Sequence, residues 1–302
     1  MRNDSVISFK IIIGSVNMFK TKKRLLLVLI FALICVTFAG CGVQQGAESD
    51  DTDIPESGAI FEITEILDEK QYDEYMTDDG TLYKKLIDFK KLTDNSPEFE
   101  FYAFSNNFIE VINAEIPAVC TVNHGTEFEG EARYGIDGES ITATEAIQVS
   151  ENFFDLYPVE LTAGRSFEAA DFTDETVPVI LGSAYKDFFM LGDTFEAYYI
   201  CERKAFKVIG FTDDESKFYS RSGNALVPYG NCIIMPFANV TDDSYSARAI
   251  LLQEICGFIA PKTDRSSALK AIREYLKDSG LDKWSDAVII SEKSLQEKMN
   301  RE

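Results

Sequence analysis

Residues 25–39 are apolar but for Thr37 and lie directly behind the basic cluster Lys20, Lys22, Lys23 and Arg24. At 15 residues the run is shorter than the roughly 20 that a bilayer-spanning helix needs and fits the apolar core of a signal peptide. Met18 makes a more ordinary start than Met1, so residues 1–17 read as a leader extension or a start-site artefact. From 42 to 57 the hydrophobic pattern stops, leaving Gly, Gln, Ser, Asp and Glu with almost nothing to bury. Such a stretch cannot recover the entropy of ordering and predicts a flexible spacer.

Beyond the spacer, residues 58–67 alternate apolar and polar and predict a strand. In residues 72–92 the apolar positions include Tyr75, Leu82, Leu86 and Phe89, and the second half predicts an amphipathic helix ending before Asp94-Asn95-Ser96-Pro97. Residues 99–104 and 108–112 predict two strands with Ser105-Asn106-Asn107 as the turn. Short strands follow at 134–136 and 146–149, punctuated by Gly135, Gly138 and Gly164. Residues 177–181 predict a strand with Pro178 near its start, and 183–191 a short helix closed by Gly192. Residues 194–201 and 205–211 predict a hairpin turning at Glu202-Arg203-Lys204. In the last third, 231–237 and 251–259 predict strands, with acidic Asp242 and Asp243 in the loop between. Asp264 is placed to cap a helix carrying Ala268, Leu269, Ile272 and Leu276 on one stripe and ending at Gly280. Residues 287–290 predict a last strand. The expected organisation is α+β: signal 1–40, tether 41–57, a first α/β half 58–133, an inserted β-rich subdomain 134–230, and a second α/β half 231–302.

Charge narrows the function. The chain has 29 basic and 51 acidic residues. Residues 1–40 hold six of the basic residues and one of the acidic ones, so the remainder carries 23 against 50. A surface that acidic repels nucleic acid and anionic headgroups, which excludes nucleic-acid binding. Beyond Cys35 and Cys41 the cysteines are Cys120, Cys201, Cys232 and Cys256. An even count permits two disulfides in three pairings. Buried free thiols are the simpler reading, since three of the four sit in apolar, strand-like contexts. No CxxC pair occurs, which disfavours zinc and thioredoxin-like chemistry. His124 is the only histidine and cannot supply a multi-histidine metal site. Asp213-Asp214-Glu215 and Asp242-Asp243 lack the ligand spacing and central glycine of an EF-hand loop and read as solvated turns. No G-x-S-x-G occurs, and no cofactor or catalytic residue is expected.

Phe38-Ala39-Gly40-Cys41 resembles a bacterial lipoprotein cleavage box, with Phe38 where Leu is usual. The resemblance implies that Cys41 is lipidated and becomes the first residue of the mature chain, anchored on the outer side of the cell membrane. The alternative is an uncleaved signal anchor with Cys41 an ordinary thiol. Either way the body lies outside the cytoplasm.

Further on, Val149-Ser150-Glu151-Asn152-Phe153-Phe154, then Leu161-Thr162-Ala163-Gly164-Arg165-Ser166-Phe167, then Ala170-Asp171-Phe172, resembles the periplasmic core domain of MacB-type ABC-transporter permeases. The strand at 178–181, Gly192-Asp193, Phe206-Lys207-Val208-Ile209-Gly210 and Ile233-Met235-Pro236-Phe237 continue the resemblance in order. It implies that the two α/β halves form one porter-like subdomain, and that partners include an ABC permease and its ATPase or another envelope protein. In that family the domain lies between a first transmembrane helix and three more. Here a lipoprotein-like signal stands in the first position, no later apolar run approaches 20 residues, and no Walker A sequence occurs. The expectation is a non-catalytic accessory or interaction module. A free-standing ligand-binding lipoprotein and a remnant of a truncated permease are the alternatives.

The motif's chemistry reads as structural. Asn152 can bond the backbone at a turn. Phe153 and Phe154 supply large apolar area. Gly164 permits a backbone angle other residues resist, and Arg165 can bridge to Asp171. Val149, Ser150 and Phe167 complete the set.

Overall fold

Strand β2 (Phe99–Ile112) is the axis of the fold. It appears in a computed structural model that describes residues 61–63, 69–172, 176–200, 202–220, 225–237, 242–282 and 289–291. The sequence predicts a turn at residues 105–107, but the strand runs straight through. Ser105, Asn106 and Asn107 pair with Gln148, Ile147 and Ala146 of β4 (Ser140–Val149). The polar side chain of Asn107 has a part-buried partner off the sheet, donating to Gln253 Oε1 at 2.7 Å. A turn-forming composition therefore misleads wherever the polar atoms have buried partners.

One half of β2 pairs with β12 (Gly257–Pro261), which continues to β1 (Phe61–Ile63) and β13 (Ile289–Ser291), all antiparallel. The other half belongs to a ring. It pairs with β7 (Thr194–Tyr199), β7 with β8 (Glu202–Thr212), and β8 with β6 (Val177–Leu181). From β6 the ring passes to β11 (Ile233–Pro236), then to β4, and so back to β2. Closing the circuit leaves these strands without free edges along the shared registers. Ile109, Val179, Phe206 and Ile233 are fully buried. Strand β3 (Arg133–Tyr134) adds to β4, β5 (Leu161–Gly164) adds to β8, and β9 (Lys217–Ser220) with β10 (Ala225–Pro228) forms a separate hairpin.

Helices pack on β2 and β12. The longer helices are α1 (Glu69–Thr77), α2 (Thr81–Asp94), α4 (Tyr245–Glu254) and α5 (Arg265–Asp278); the one-turn α3 (Phe153–Leu156) lies in the motif. Helix α2 buries Leu82, Tyr83, Leu86 and Phe89 and packs against α4 and α5. Asp264 caps α5 by accepting from the Ser267 amide at 2.8 Å, and Ala268, Ala271, Ile272 and Leu276 form its buried stripe.

Several elements differ from the sequence reading. Residues 251–259 are not one strand: α4 continues to Glu254 and extended chain resumes at Gly257. A short apolar run has no periodicity to separate a buried helix from a buried strand. The strand expected at 146–149 begins at Ser140. In the hairpin, Glu202, Arg203 and Lys204 lie inside β8, opposite Tyr199, Tyr198 and Ala197, and Ile200 at φ 45° makes the turn. The helix expected at 183–191 is a single 3-10 turn, Ser183–Tyr185, followed by turns to Gly192. The strand expected over 58–67 is described at 61–63, and the last strand spans Ile289–Ser291. The protein is a mixed α+β fold with a sheet-rich centre.

Candidate functional site

Where β4 leaves the ring, the residues of the motif gather into one brace. Val149 is fully buried and its carbonyl accepts from the Phe237 amide at 3.1 Å. The Ser150 amide donates to the Ala103 carbonyl at 3.0 Å, and its hydroxyl to Asn152 Oδ1 at 2.7 Å. Asn152 Nδ2 donates to the Phe101 carbonyl at 3.0 Å, which ties the turn to β2. The amide of Asn152 thus bonds backbone across 51 residues of sequence, a partner that local turn chemistry could not reveal.

Behind that turn lies an aromatic stack. Phe153 lies flat on Phe104 (centroids 5.2 Å, interplanar 10°), and Phe104 meets Phe218 and Phe258. Phe154 lies flat on Phe167 (6.0 Å, 9°), which meets Phe172 edge-on. Aromatic pairs of this kind add about 0.5–1.5 kcal/mol each beyond the area they bury. Phe104, Phe218 and Phe258 were not singled out from the sequence, because nothing in the spacing links positions so far apart.

Gly164 has φ +82°, and a Cβ there would stand 2.1 Å from the Ile209 carbonyl oxygen and 2.6 Å from Gly210 Cα. Gly210 in turn would bring a Cβ to 2.9 Å from the Arg165 carbonyl oxygen. Strand β5 can approach β8 this closely because both positions lack a side chain. Just past Gly164, Arg165 grips Asp171 with both nitrogens: Nη1 to Oδ2 at 2.5 Å and Nη2 to Oδ1 at 2.9 Å. Asp171 is buried and also accepts from the Glu168 amide at 2.9 Å. The guanidinium, helped by that amide, holds the Asp171 carboxyl below its usual range against the opposing effect of burial.

These contacts bring Val149, Ser150, Asn152, Phe153, Phe154, Gly164, Arg165, Phe167 and Asp171 into two adjoining clusters bridged by Phe154 and Phe167. The arrangement offers hydrogen bonds and packing. An open groove of about 710 Å³ borders it, lined by Arg165, Asp171, Pro178, Thr194, Lys207 and Ile209.

The remaining candidates lie elsewhere. Cys41 lies outside the described residues. Cys120 and Cys232 are buried free thiols and Cys256 is buried with its Sγ near the Leu252 carbonyl, and burial pushes the Cys120 thiol up to about 11. His124 is exposed and pairs with Glu129 at 3.0 Å. Asp213 accepts from the Ser216 amide at 3.0 Å and Asp242 from the Ser244 amide at 3.0 Å, as turn carboxylates do. Among the described residues, no cluster of three or more His, Cys, Asp or Glu side chains could hold a metal ion, and no helix is long and apolar enough to cross a membrane.

Comparison with known proteins agrees with the motif. The profile of the MacB-like periplasmic core domain family matches residues 26–277. Among solved structures, the periplasmic region of MacB from Actinobacillus actinomycetemcomitans is 17% identical. That alignment covers 82% of this chain and 94% of the other, with a TM-score of 0.40. The extracellular domain of the noncanonic ABC-type transporter YknZ from Gram-positive bacteria is 12% identical, over 77% and 98% of the two chains, with a TM-score of 0.38. No curated protein matches the chain. With its family profile spanning most of the sequence and the motif residues gathered at one place in the fold, the chain belongs to the MacB-like periplasmic core domain family.

Proposed function

We propose that this protein is a lipid-anchored extracytoplasmic core domain that serves an ABC-transporter system as a non-catalytic accessory or interaction module. The observation that carries the reading is the family match over residues 26–277, joined in the same chain to the Phe38-Ala39-Gly40-Cys41 box. The first supplies a transporter-associated domain and the second a means of holding it at the membrane through Cys41. The motif residues act in this reading as the brace that fixes β5 and the 165–172 segment to the sheet. The strands and helices of 58–133 and 231–302 make up the porter-like part, and 134–230 the β-rich one.

A second reading, a ligand-binding lipoprotein, draws on the groove beside Arg165 and Lys207. Its open shape and mixed lining favour it less, since small-ligand sites enclose most of their ligand.

The test is crosslinking in intact cells followed by pull-down, with a Cys41→Ala variant alongside. The proposal expects an ABC permease and its ATPase with the wild-type protein and neither with Cys41→Ala. Recovery of no membrane partner from a protein still anchored to the membrane would remove the accessory role.

A further inference from the structure

The connection from β6 to β7, residues 182–193, sends its side chains both into the core and out to solvent. Tyr185 is fully buried and its hydroxyl pairs with Thr144 of β4 at 2.5 Å, and the Phe189 ring meets those of Tyr185 and Phe195. Their neighbours stand in the open: Phe188 is 39% exposed, Met190 72% and Leu191 47%. Chain connectivity alone puts these three together, since residues three apart lie within about 11 Å. The backbone that carries them is fixed. The Asp193 amide donates to the Met190 carbonyl at 3.1 Å, and Asp193 Oδ2 accepts from the Met190 amide at 2.8 Å. Gly192 is third in that turn, at φ +88°, and a Cβ there would meet nothing within 4 Å. Single exposed apolar residues are ordinary, but three within four positions on a turn in open space call for an occupant.

Lysines flank the turn. Lys186 is exposed two residues before Phe188. Lys207 is exposed on β8 next to Val208, whose carbonyl accepts from the Gly192 amide at 2.8 Å and whose amide donates to the Asp193 carbonyl at 2.9 Å. Lys207 and Gly192 also line the same groove. Among the described residues neither lysine has a carboxylate partner, although the chain carries 51 acidic residues against 29 basic ones. Asp187 is the exposed acid of the turn, while Asp193 is occupied by the Met190 amide. Acidic residues elsewhere are screened beyond about 8 Å at physiological salt, so these neighbours set the charge that the tip presents.

An apolar tip with unpaired lysines beside it is the pattern of an element that seats in a bilayer interface, apolar side chains below the headgroups and ammonium groups level with them. A protein partner is the weaker fit, because a stable protein interface takes roughly 20–30 residues a side and a single turn offers a handful. We infer that the 188–191 turn docks on the phospholipid bilayer that holds the chain, with Phe188, Met190 and Leu191 in the interface and Lys186 and Lys207 at lipid phosphates. The anchor then supplies residence and the turn supplies orientation, fixing which face of the body lies on the membrane. The spacer expected at 42–57 can extend to about 50 Å, which lets anchor and turn reach one bilayer. The inference rests on the proposed hold on the membrane, though not on the accessory role.

The experiment puts an environment-sensitive fluorescent amino acid at position 190 of the full chain, purified from its own membranes and reconstituted in vesicles of phosphatidylethanolamine and phosphatidylglycerol. Positions 91 and 274 are the controls, since Lys91 and Glu274 are well exposed on α2 and α5. The expected result is a blue-shifted emission at 190 that brominated phospholipids quench, with water-like, unquenched emission at both controls. Leu191→Asp should cut the ratio of quenched to unquenched 190 by about tenfold or more, as a charge placed among the apolar side chains does. Lys186→Glu combined with Lys207→Glu should cut it by a similar factor on this anionic surface. The substituted side chains are exposed, and an unchanged circular dichroism spectrum confirms that the variants fold. Water-like emission at 190, quenching equal at 190 and the controls, or quenching indifferent to either substitution would each overturn the docking. So would a blue shift at 190 that requires another membrane protein and that brominated lipids leave unquenched. The intact mass of the same sample reads the anchor separately. A quenched 190 on a chain without lipid at Cys41 would keep the turn and remove the lipid anchor, and a water-like 190 on a lipidated chain would remove the turn alone.

Discussion

Tyr75 and Arg248 hold each other twice. The tyrosine hydroxyl donates to the Arg248 carbonyl at 3.0 Å, and the arginine Nη1 donates to the Tyr75 carbonyl at 2.6 Å. The same guanidinium reaches Asp78 Oδ1 at 2.6 Å and the Asp243 carbonyl at 3.0 Å, and it lies 5.8 Å from the ring centres of Tyr75 and Tyr83. A buried cation with this many partners locks α4 to α1 and to the turn before α2.

Arg248→Ala should therefore destabilise the fold by about 3–5 kcal/mol, because it removes the cation from the Asp78 carboxylate, which keeps only the Gly80 and Leu82 amides, and leaves carbonyl oxygens without their donor. Urea unfolding of the purified chain measures this. A loss under about 1 kcal/mol would place the lock outside the folding unit that unfolding reports.

Gly164→Ala tests the close approach of β5 to β8. The left-handed backbone angle costs roughly 1–2 kcal/mol with a side chain, and forcing a Cβ against a carbonyl oxygen 2.1 Å away adds about 1–3 kcal/mol of overpacking. The melting temperature should drop by several degrees, whereas Ala163→Gly, one position earlier, should cost much less. Equal effects from both would show that general loosening of β5, and not the Gly164–Ile209 contact, controls the strand.

Glu254 at the end of α4 gives a pH dependence. Burial pushes its carboxyl up to about 7, against the pull of Lys90 at 3.3 Å. A carboxyl whose folded value lies above its unfolded value of 4.5 binds its proton more tightly when folded. Its contribution to stability is fully present below about pH 4.5 and is lost as the pH rises through about 7. Between pH 5.5 and 8 the wild type should lose stability relative to Glu254→Gln, with a slope approaching about 1.4 kcal/mol per pH unit where the group titrates. Urea midpoints for the two proteins at several pH values give the comparison; parallel curves would contradict it.

Cys120 and Cys232 should resist a maleimide reagent in the native protein at pH 8 and react on unfolding. Both are buried, and burial raises both thiols. Peptide mapping by mass spectrometry separates them from the other cysteines, and rapid native labelling of either would contradict their burial.

Much of this fold was legible because its clearest elements announce themselves locally. Asp264 before a 3.6-period stripe marks α5, and Leu82, Leu86 and Phe89 mark α2, the second half of residues 72–92. The pairing of Arg165 with Asp171 also followed from chemistry at short range. What stayed hidden depends on distance along the chain. The closure of β2 on β4 made a strand out of Ser105-Asn106-Asn107, and burial on both sides erased the alternation that distinguishes Leu251 in a helix from Leu251 in a strand. The Tyr75–Arg248 lock spans 173 residues, and no local pattern marks it. Phe104, on which Phe153 stacks, was hidden for the same reason.

The proposed role at the membrane requires that Cys41 carry the protein's lipid anchor. The direct measurement is intact-protein mass spectrometry of the chain purified from the membrane fraction. A lipid-anchored protein gives the mass of a mature chain that begins at Cys41 and bears a diacylglyceryl group on its sulfur. A chain that retains residues 18–40, with an unmodified Cys41 thiol, would contradict it and leave an uncleaved signal anchor in its place.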